Sequence, residues 1–199
     1  MLIESGRRGI PVQRRVFHLI AASLFSIPGF FFQQREMVIA ASIALLVFSA
    51  MEVMRLYFHS VNGTFVRLTA PLLKGEEVEG ITGATYVVVS SLILFVLFDT
   101  RVAALSLLFL AVGDPAAGLV GERMGRRRIG QKSLEGSLAF LLISVVAASV
   151  VVALGGFAPL WIALVGAVVA MLVELIPLPL DDNLTVPLAC GGAMSLLMS

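Results

Sequence analysis

Seven apolar runs, each near the length needed to cross a bilayer and most of them separated by charged joints, constrain this chain more than any other feature. A helix crosses the hydrocarbon core with about 20 apolar residues, and about 17 suffice. On that rule the spans fall at 16–32, 37–55, 83–99, 102–121, 135–154, 159–176 and 184–198. With 59% hydrophobic and 14% charged residues among 199, almost nothing is left for a water-soluble domain. The expected fold is an all-α polytopic membrane bundle of about seven transmembrane helices, with residues 1–199 forming one integral membrane catalytic domain. The longest joint, 55–80, reads as a surface loop lying partly in the membrane interface, with a turn at Asn62-Gly63. A single thiol, Cys190, excludes a disulfide framework and reads as a packing residue. The basic N-terminus precedes an apolar run that offers no small-x-small cleavage site, so no removable signal is read.

Orientation follows from the cations. With the N-terminus inside, Arg7, Arg8, Arg14, Arg15, Arg55, Arg67, Lys74, Arg123, Arg126, Arg127, Arg128 and Lys132 fall inside, twelve of the 14 Lys and Arg residues, and only Arg35 and Arg101 fall outside. The count turns the polar face toward the cytoplasm, and the expected location is a multi-pass protein of a prokaryotic cell membrane. The same rule accounts for much of the arginine triplet at 126–128 without a ligand.

The stretch GDPAAGLVGERMGRRRIGQKSLEGS, 113–137, is harder to explain by topology. Asp114 falls inside a span, where an ionisable group is costly unless it faces a wet cavity or a partner. Gly113-Asp114-Pro115 reads as a broken helix restarting at Pro115, with Asp114 as N-cap and free N–H groups aimed at an anion. A second break is expected at 177–183, where Pro177-Leu178-Pro179 ends one helix and Asp181, Asp182 and Asn183 open the next. One of the last two can cap that helix, which leaves carboxylates to spare.

Carboxylates in twos and threes, used together with substrate phosphates, are how Mg²⁺ is usually held, so Asp114, Asp181 and Asp182 are the expected metal ligands. Cations beside them would neutralise phosphate charge, which is most of what phosphoryl transfer asks of a protein. Lys132, next to Ser133 and Glu135, is the leading cation, with Arg126, Arg127, Arg128 and Arg123 in the same loop. Asp182 or Glu174 would accept the proton of an attacking hydroxyl. Gly118, Gly121 and Gly125 are equally well spaced for helix packing. No GxxxxGK[ST] is present, which excludes a Walker-type site.

These residues, with DDNLTVPL at 181–188 and RRVFH at 14–18, resemble the polyprenol kinase family: dolichol kinase, phytol kinase and the CTP-dependent diacylglycerol kinase. Gly113, Asp114, Gly121, Gly125, the Lys-x-x-Glu-Gly of Lys132 to Gly136, Glu174 and Asp181 to Asn183 match its pattern. Much of that family is longer at the N-terminal side, so the chain resembles its core. The resemblance implies a membrane lipid-alcohol kinase using CTP, rather than ATP, with a divalent metal. An isoprenoid alcohol is the expected acceptor and diacylglycerol the alternative. The implied partners are a nucleoside triphosphate, a lipid alcohol and the bilayer, with no nucleic acid.

Of the remaining polar residues, His18 is a candidate phosphate or headgroup contact. Glu52 and Arg55, three apart on one helix face, suit a mutual ion pair. His59 and Asn62 are weaker candidates for nucleotide or headgroup, and Thr82 is a candidate helix cap. A CTP:phospholipid cytidylyltransferase would use the same inventory but release pyrophosphate, and a small lipid transporter would use broken helices without chemistry.

Overall fold

Each apolar run becomes a helix, and three of the described helices start at a polar residue whose side chain satisfies one of their first N–H groups. In the computed structural model, which describes residues 12–155 and 159–199, the helices are α1 (Val12–Gly29), α2 (Gln34–Tyr57), α3 (His59–Thr69), α4 (Gly83–Leu97), α5 (Thr100–Met124), α6 (Leu134–Ala153), α7 (Leu160–Leu175) and α8 (Asp182–Met198). Asp99 caps α5 by accepting from Arg101 N at 2.9 Å, Ser133 caps α6 from Gly136 N at 3.1 Å, and Asp181 caps α8 from Asn183 N at 2.9 Å. Among the described residues three helices, α2, α5 and α6, are long and apolar enough to cross a membrane, while α4 and α7 are apolar but shorter. Arg7 and Arg8, counted above for orientation, lie outside the described residues.

α5 is the central helix: 61% of its most apolar window is buried, against 17% for α2, whose outer face presents Ile43, Leu46 and Val47. It packs on α1, α6 and α8, and α7 closes the bundle against α6 and α8. Phe109 and Phe140 anchor this core with Leu105, Val186 and Met194, and a second cluster of Met37, Leu94, Phe95 and Leu107 joins α2 and α4 to it. α5 and α6 cross where Gly121 meets Gly136, since a side chain at Gly136 would come within 2.7 Å of the Ala117 carbonyl.

Three expectations need correction. The helix does not break at 113–115: α5 runs unbroken through Pro115, with Asp114 in its interior. Proline removes one hydrogen bond, but the bonds around it have no competing water in an apolar bundle and are kept. Gly113 lets the Phe140 ring press on α5, at 2.5 Å from where a side chain would begin. The anion-binding N-terminus expected at Pro115 is therefore absent. The second break, between Leu175 and Asp182, is present.

Asn62-Gly63 is not a turn but lies within α3. Buried Arg55 overrides the local signal: it pairs with Glu52 at 2.5 Å, donates to Asn62 Oδ1 and to the carbonyls of Glu77 and Gly80, and covers the Phe65 ring at 4.9 Å. Asn62 Nδ2 donates in turn to the Val78 carbonyl at 3.0 Å. Thr82 stands at the N-cap position of α4, yet its hydroxyl donates to Glu52 Oε1 at 2.7 Å instead of capping the helix. Every charge in this cluster is partnered, so it fastens α2, α3 and the 75–82 loop together.

Candidate active site

The N-terminal ends of α1, α6 and α8 and the C-terminal ends of α5 and α7 meet at one end of the bundle around a cavity of about 310 Å³. Between α5 and α6 the basic joint folds into a short antiparallel hairpin, β1 (Arg128–Ile129) and β2 (Lys132–Ser133), a small departure from the all-α expectation. The hairpin carries Lys132 to the cavity. Its ammonium donates to Asp182 Oδ2 at 2.5 Å and to Glu174 Oε1 at 3.1 Å. Burial opposes the charge on Lys132, but the Asp182 and Glu174 carboxylates outweigh it and hold the ammonium well above its ordinary value. Ser137 fixes the other oxygen of Glu174 by donating to Oε2 at 2.6 Å.

Asp114 lines the same cavity on α5, with its side chain 40% exposed and His18 Nε2 at 3.8 Å, beyond hydrogen-bond length. Asp181 lies 3.6 Å from Lys74 Nζ, and Arg15 forms an ion pair with Glu122 across Gly118. His18 Nε2 and the Nε of Arg15 are buried with no hydrogen-bond partner among the described residues. Unpaired buried donors beside an open cavity suit an acceptor-rich ligand such as phosphate.

Of the residues singled out from sequence, Asp114, Lys132, Glu174, Asp181, Asp182, Asn183, His18, Arg128, Gly121, Ser133 and Gly136 line the cavity. Gly113, Arg123, Gly125, Arg126, Arg127 and Glu135 do not. Gly125 packs beside Ser133, and the backbone N–H groups of Arg126 and Arg127 donate to the Glu135 carboxylate, which shapes the hairpin. Sequence reasoning did not single out Lys74, Gln131 or Glu122 as site residues. No pattern marks them, since each sits among other polar residues in a joint or helix end and only the folding of that segment brings it to the cavity.

The three aspartates proposed from sequence as metal ligands share the cavity without converging. Among the described residues no group of three His, Cys, Asp or Glu side chains is placed to hold a metal. Hard carboxylate oxygens on two different helices lining one cavity fit an ion that takes most of its ligands from phosphate and water, as Mg²⁺ does.

No protein-family model and no solved structure matches the chain. It is similar to CTP-dependent diacylglycerol kinase 1 of Eremothecium gossypii. The two are 30% identical over 163 residues, 69% of this chain and 51% of that protein, so the chain spans about half the length of the curated relative it matches. The similarity supports the lipid-kinase resemblance read from the motifs without choosing a member.

Proposed function

We propose that this protein is a membrane lipid kinase that transfers the γ-phosphoryl group of CTP to the hydroxyl of a lipid alcohol. The observation that carries the reading is the meeting of Asp114, Asp181, Asp182, Glu174 and Lys132 with Arg14, Arg15 and Arg128 in one cavity at the end of an apolar bundle. Phosphoryl transfer is mostly positioning and charge neutralisation, and this cavity offers carboxylates and cations in that arrangement. The relative's name favours diacylglycerol as acceptor over the isoprenoid alcohol expected from sequence. We read the chain as one catalytic unit, with seven helices crossing the membrane and the cavity toward the cytoplasm, because the counted cations gather at that end.

Depth divides the carboxylates. Asp114 precedes the end of α5 at Met124 by ten residues, roughly 15 Å along the helix axis, and so lies toward the hydrocarbon, where a lipid hydroxyl can reach it. Asp181 and Asp182 open α8 at the surface, where a soluble nucleotide arrives. Asp181 and Asp182 would hold Mg²⁺ together with the donor's phosphates, and the ion would supply charge neutralisation there. Lys132, Arg15 and Arg128 offset charge on the transferred group. The lipid oxygen bonds to the γ-phosphorus as the bond from that phosphorus to the β–γ bridging oxygen breaks. The hydroxyl proton passes to Asp114, and CDP leaves. Glu174 and Ser137 hold Lys132 in line, a positioning role in place of the base role considered from sequence.

The test is to incubate the purified protein in mixed micelles with labelled CTP or ATP and a panel of diacylglycerol, geranylgeraniol, phytol and dolichol. A phosphorylated glyceride with release of CDP is the expected result. Pyrophosphate release with a cytidylyl lipid would replace kinase by cytidylyltransferase, and phosphorylation of a prenol alone would restore the isoprenoid acceptor.

A further inference from the structure

A second cavity, of about 530 Å³, adjoins the first and shares Lys74, Gln131, Lys132, Asp181 and Asp182 with it. Its other walls differ in kind. They include the ring of Tyr86 from the first turn of α4 and the Pro177-Leu178-Pro179 connector between α7 and α8. It is built largely from connecting segments and helix ends, the parts of the bundle that face water. Ile81, just before α4, lines this chamber and also an apolar groove that Thr85 forms with Val53 and Leu56 of α2, so a polar chamber and an apolar groove meet at the N-terminus of α4.

The tip of the β-hairpin is set over the polar chamber. Gly130 has φ of +61°, a left-handed conformation that costs glycine little, and its open side lies 3.5 Å from Pro177. This turn seats the hairpin on the proline connector and places the next residue, Gln131, at the boundary between the two cavities. The Gln131 side chain is exposed and makes no hydrogen bond among the described residues, so its carboxamide keeps both a donor and an acceptor for a ligand.

We infer that this second cavity is the nucleoside subsite of the phosphoryl donor, with Tyr86 and the proline connector contacting the base and Gln131 reading its edge. The inference rests on the reading of the donor as a nucleoside triphosphate. A triphosphate fills the cation-lined cavity, and its sugar and base must then leave by an adjoining space. The adjoining space that shares Lys132 and both aspartates has an aromatic ring, as base stacking requires, and an amide able to pair with one acceptor and one donor on a base edge. A site that hydrogen-bonds its ligand discriminates strongly against one lacking those groups. The assignment gives a role to Tyr86 and Gln131, which the phosphoryl-transfer residues leave unused.

The experiment measures equilibrium binding of CTP and of inorganic tripolyphosphate to the full chain in nanodiscs, for the wild type, Gln131→Ala and Tyr86→Leu. Tripolyphosphate carries the phosphates without the nucleoside. CTP is expected to bind the wild type at least tenfold more tightly than tripolyphosphate, and each variant to lose most of that advantage while binding tripolyphosphate unchanged. Unchanged CTP affinity in both variants would overturn the subsite and leave the kinase reading standing. Parallel weakening of both ligands would also overturn it, by assigning the residues to the phosphate cavity or to folding. A wild type that binds tripolyphosphate as tightly as CTP would show that no nucleoside subsite exists, and one that binds neither would remove the kinase reading along with it.

Discussion

The Lys132 ammonium donates to Asp182 Oδ2 at 2.5 Å and so ties the basic hairpin to the first turn of α8, although the two residues are 50 positions apart. Two segments singled out separately from sequence are thereby one structural unit. Lys132→Met and Asp182→Asn should each reduce turnover by about 100-fold or more, the scale of losing a preorganised charge at a transferred group. Their effects should not add, because each leaves the other's charge without its partner. A double-mutant cycle on kcat/KM measures this, and full additivity would mean that the contact does not operate during turnover.

The pH dependence of that tie has a definite sign. The Asp182 and Glu174 carboxylates raise Lys132 above its ordinary value of 10.5 despite the opposing effect of burial. A cation raised on folding adds stability that is complete below its unfolded value and is lost only as pH rises through the folded one. The difference in melting temperature between wild type and Lys132→Met should therefore be level from about pH 6 to about pH 9 and shrink only above the ordinary value. A difference that fell steadily across neutral pH would contradict this account of the lysine.

Arg55 and Glu52 are 1% and 5% exposed and pair away from the cavity, which makes them structural. Arg55→Met leaves a buried carboxylate unpaired and should cost about 3–5 kcal/mol, whereas the double variant Glu52→Gln, Arg55→Met should recover part of that loss. Thermal unfolding in detergent reads the stabilities. Activity per folded molecule should stay unchanged, and a specific loss of kcat would move the pair into the reaction.

Gly63 tests a point where local signals mislead. In α3 its φ is not positive and nothing lies within 4 Å of the space a side chain would take. Gly63→Ala should therefore stabilise the protein by up to about 1 kcal/mol, as thermal unfolding would show. In an Asn-Gly turn the same change would destabilise.

The helices of the bundle were legible because an apolar run of membrane length has few other ways to satisfy its backbone. What local sequence could not show was where distant groups intervene. Asn62-Gly63 looks like a turn until Arg55 and the Val78 carbonyl claim the Asn62 side chain. Gly113-Asp114-Pro115 looks like a break until Phe140 is found packed on Gly113. The main acids and Lys132 were legible because charge beside an apolar run is expensive and needs a reason. Lys74 and Gln131 sit in polar joints, where charge and amides are ordinary, and only the closure of those joints over the cavity distinguishes them. Among the glycines, Gly121 and Gly136 both line the cavity and let α5 and α6 cross closely, while Gly113 and Gly125 serve packing alone.

The most direct test of the central claim is transfer of label from γ-labelled CTP to diacylglycerol, measured in wild type and in Asp114→Asn, a change of one oxygen for nitrogen on a half-exposed side chain. The account predicts labelled lipid and unlabelled CDP from the wild type, and at least about a 1,000-fold lower rate from the variant at unchanged melting temperature and CTP affinity. Full label transfer by Asp114→Asn, or no labelled lipid from the wild type, would contradict it.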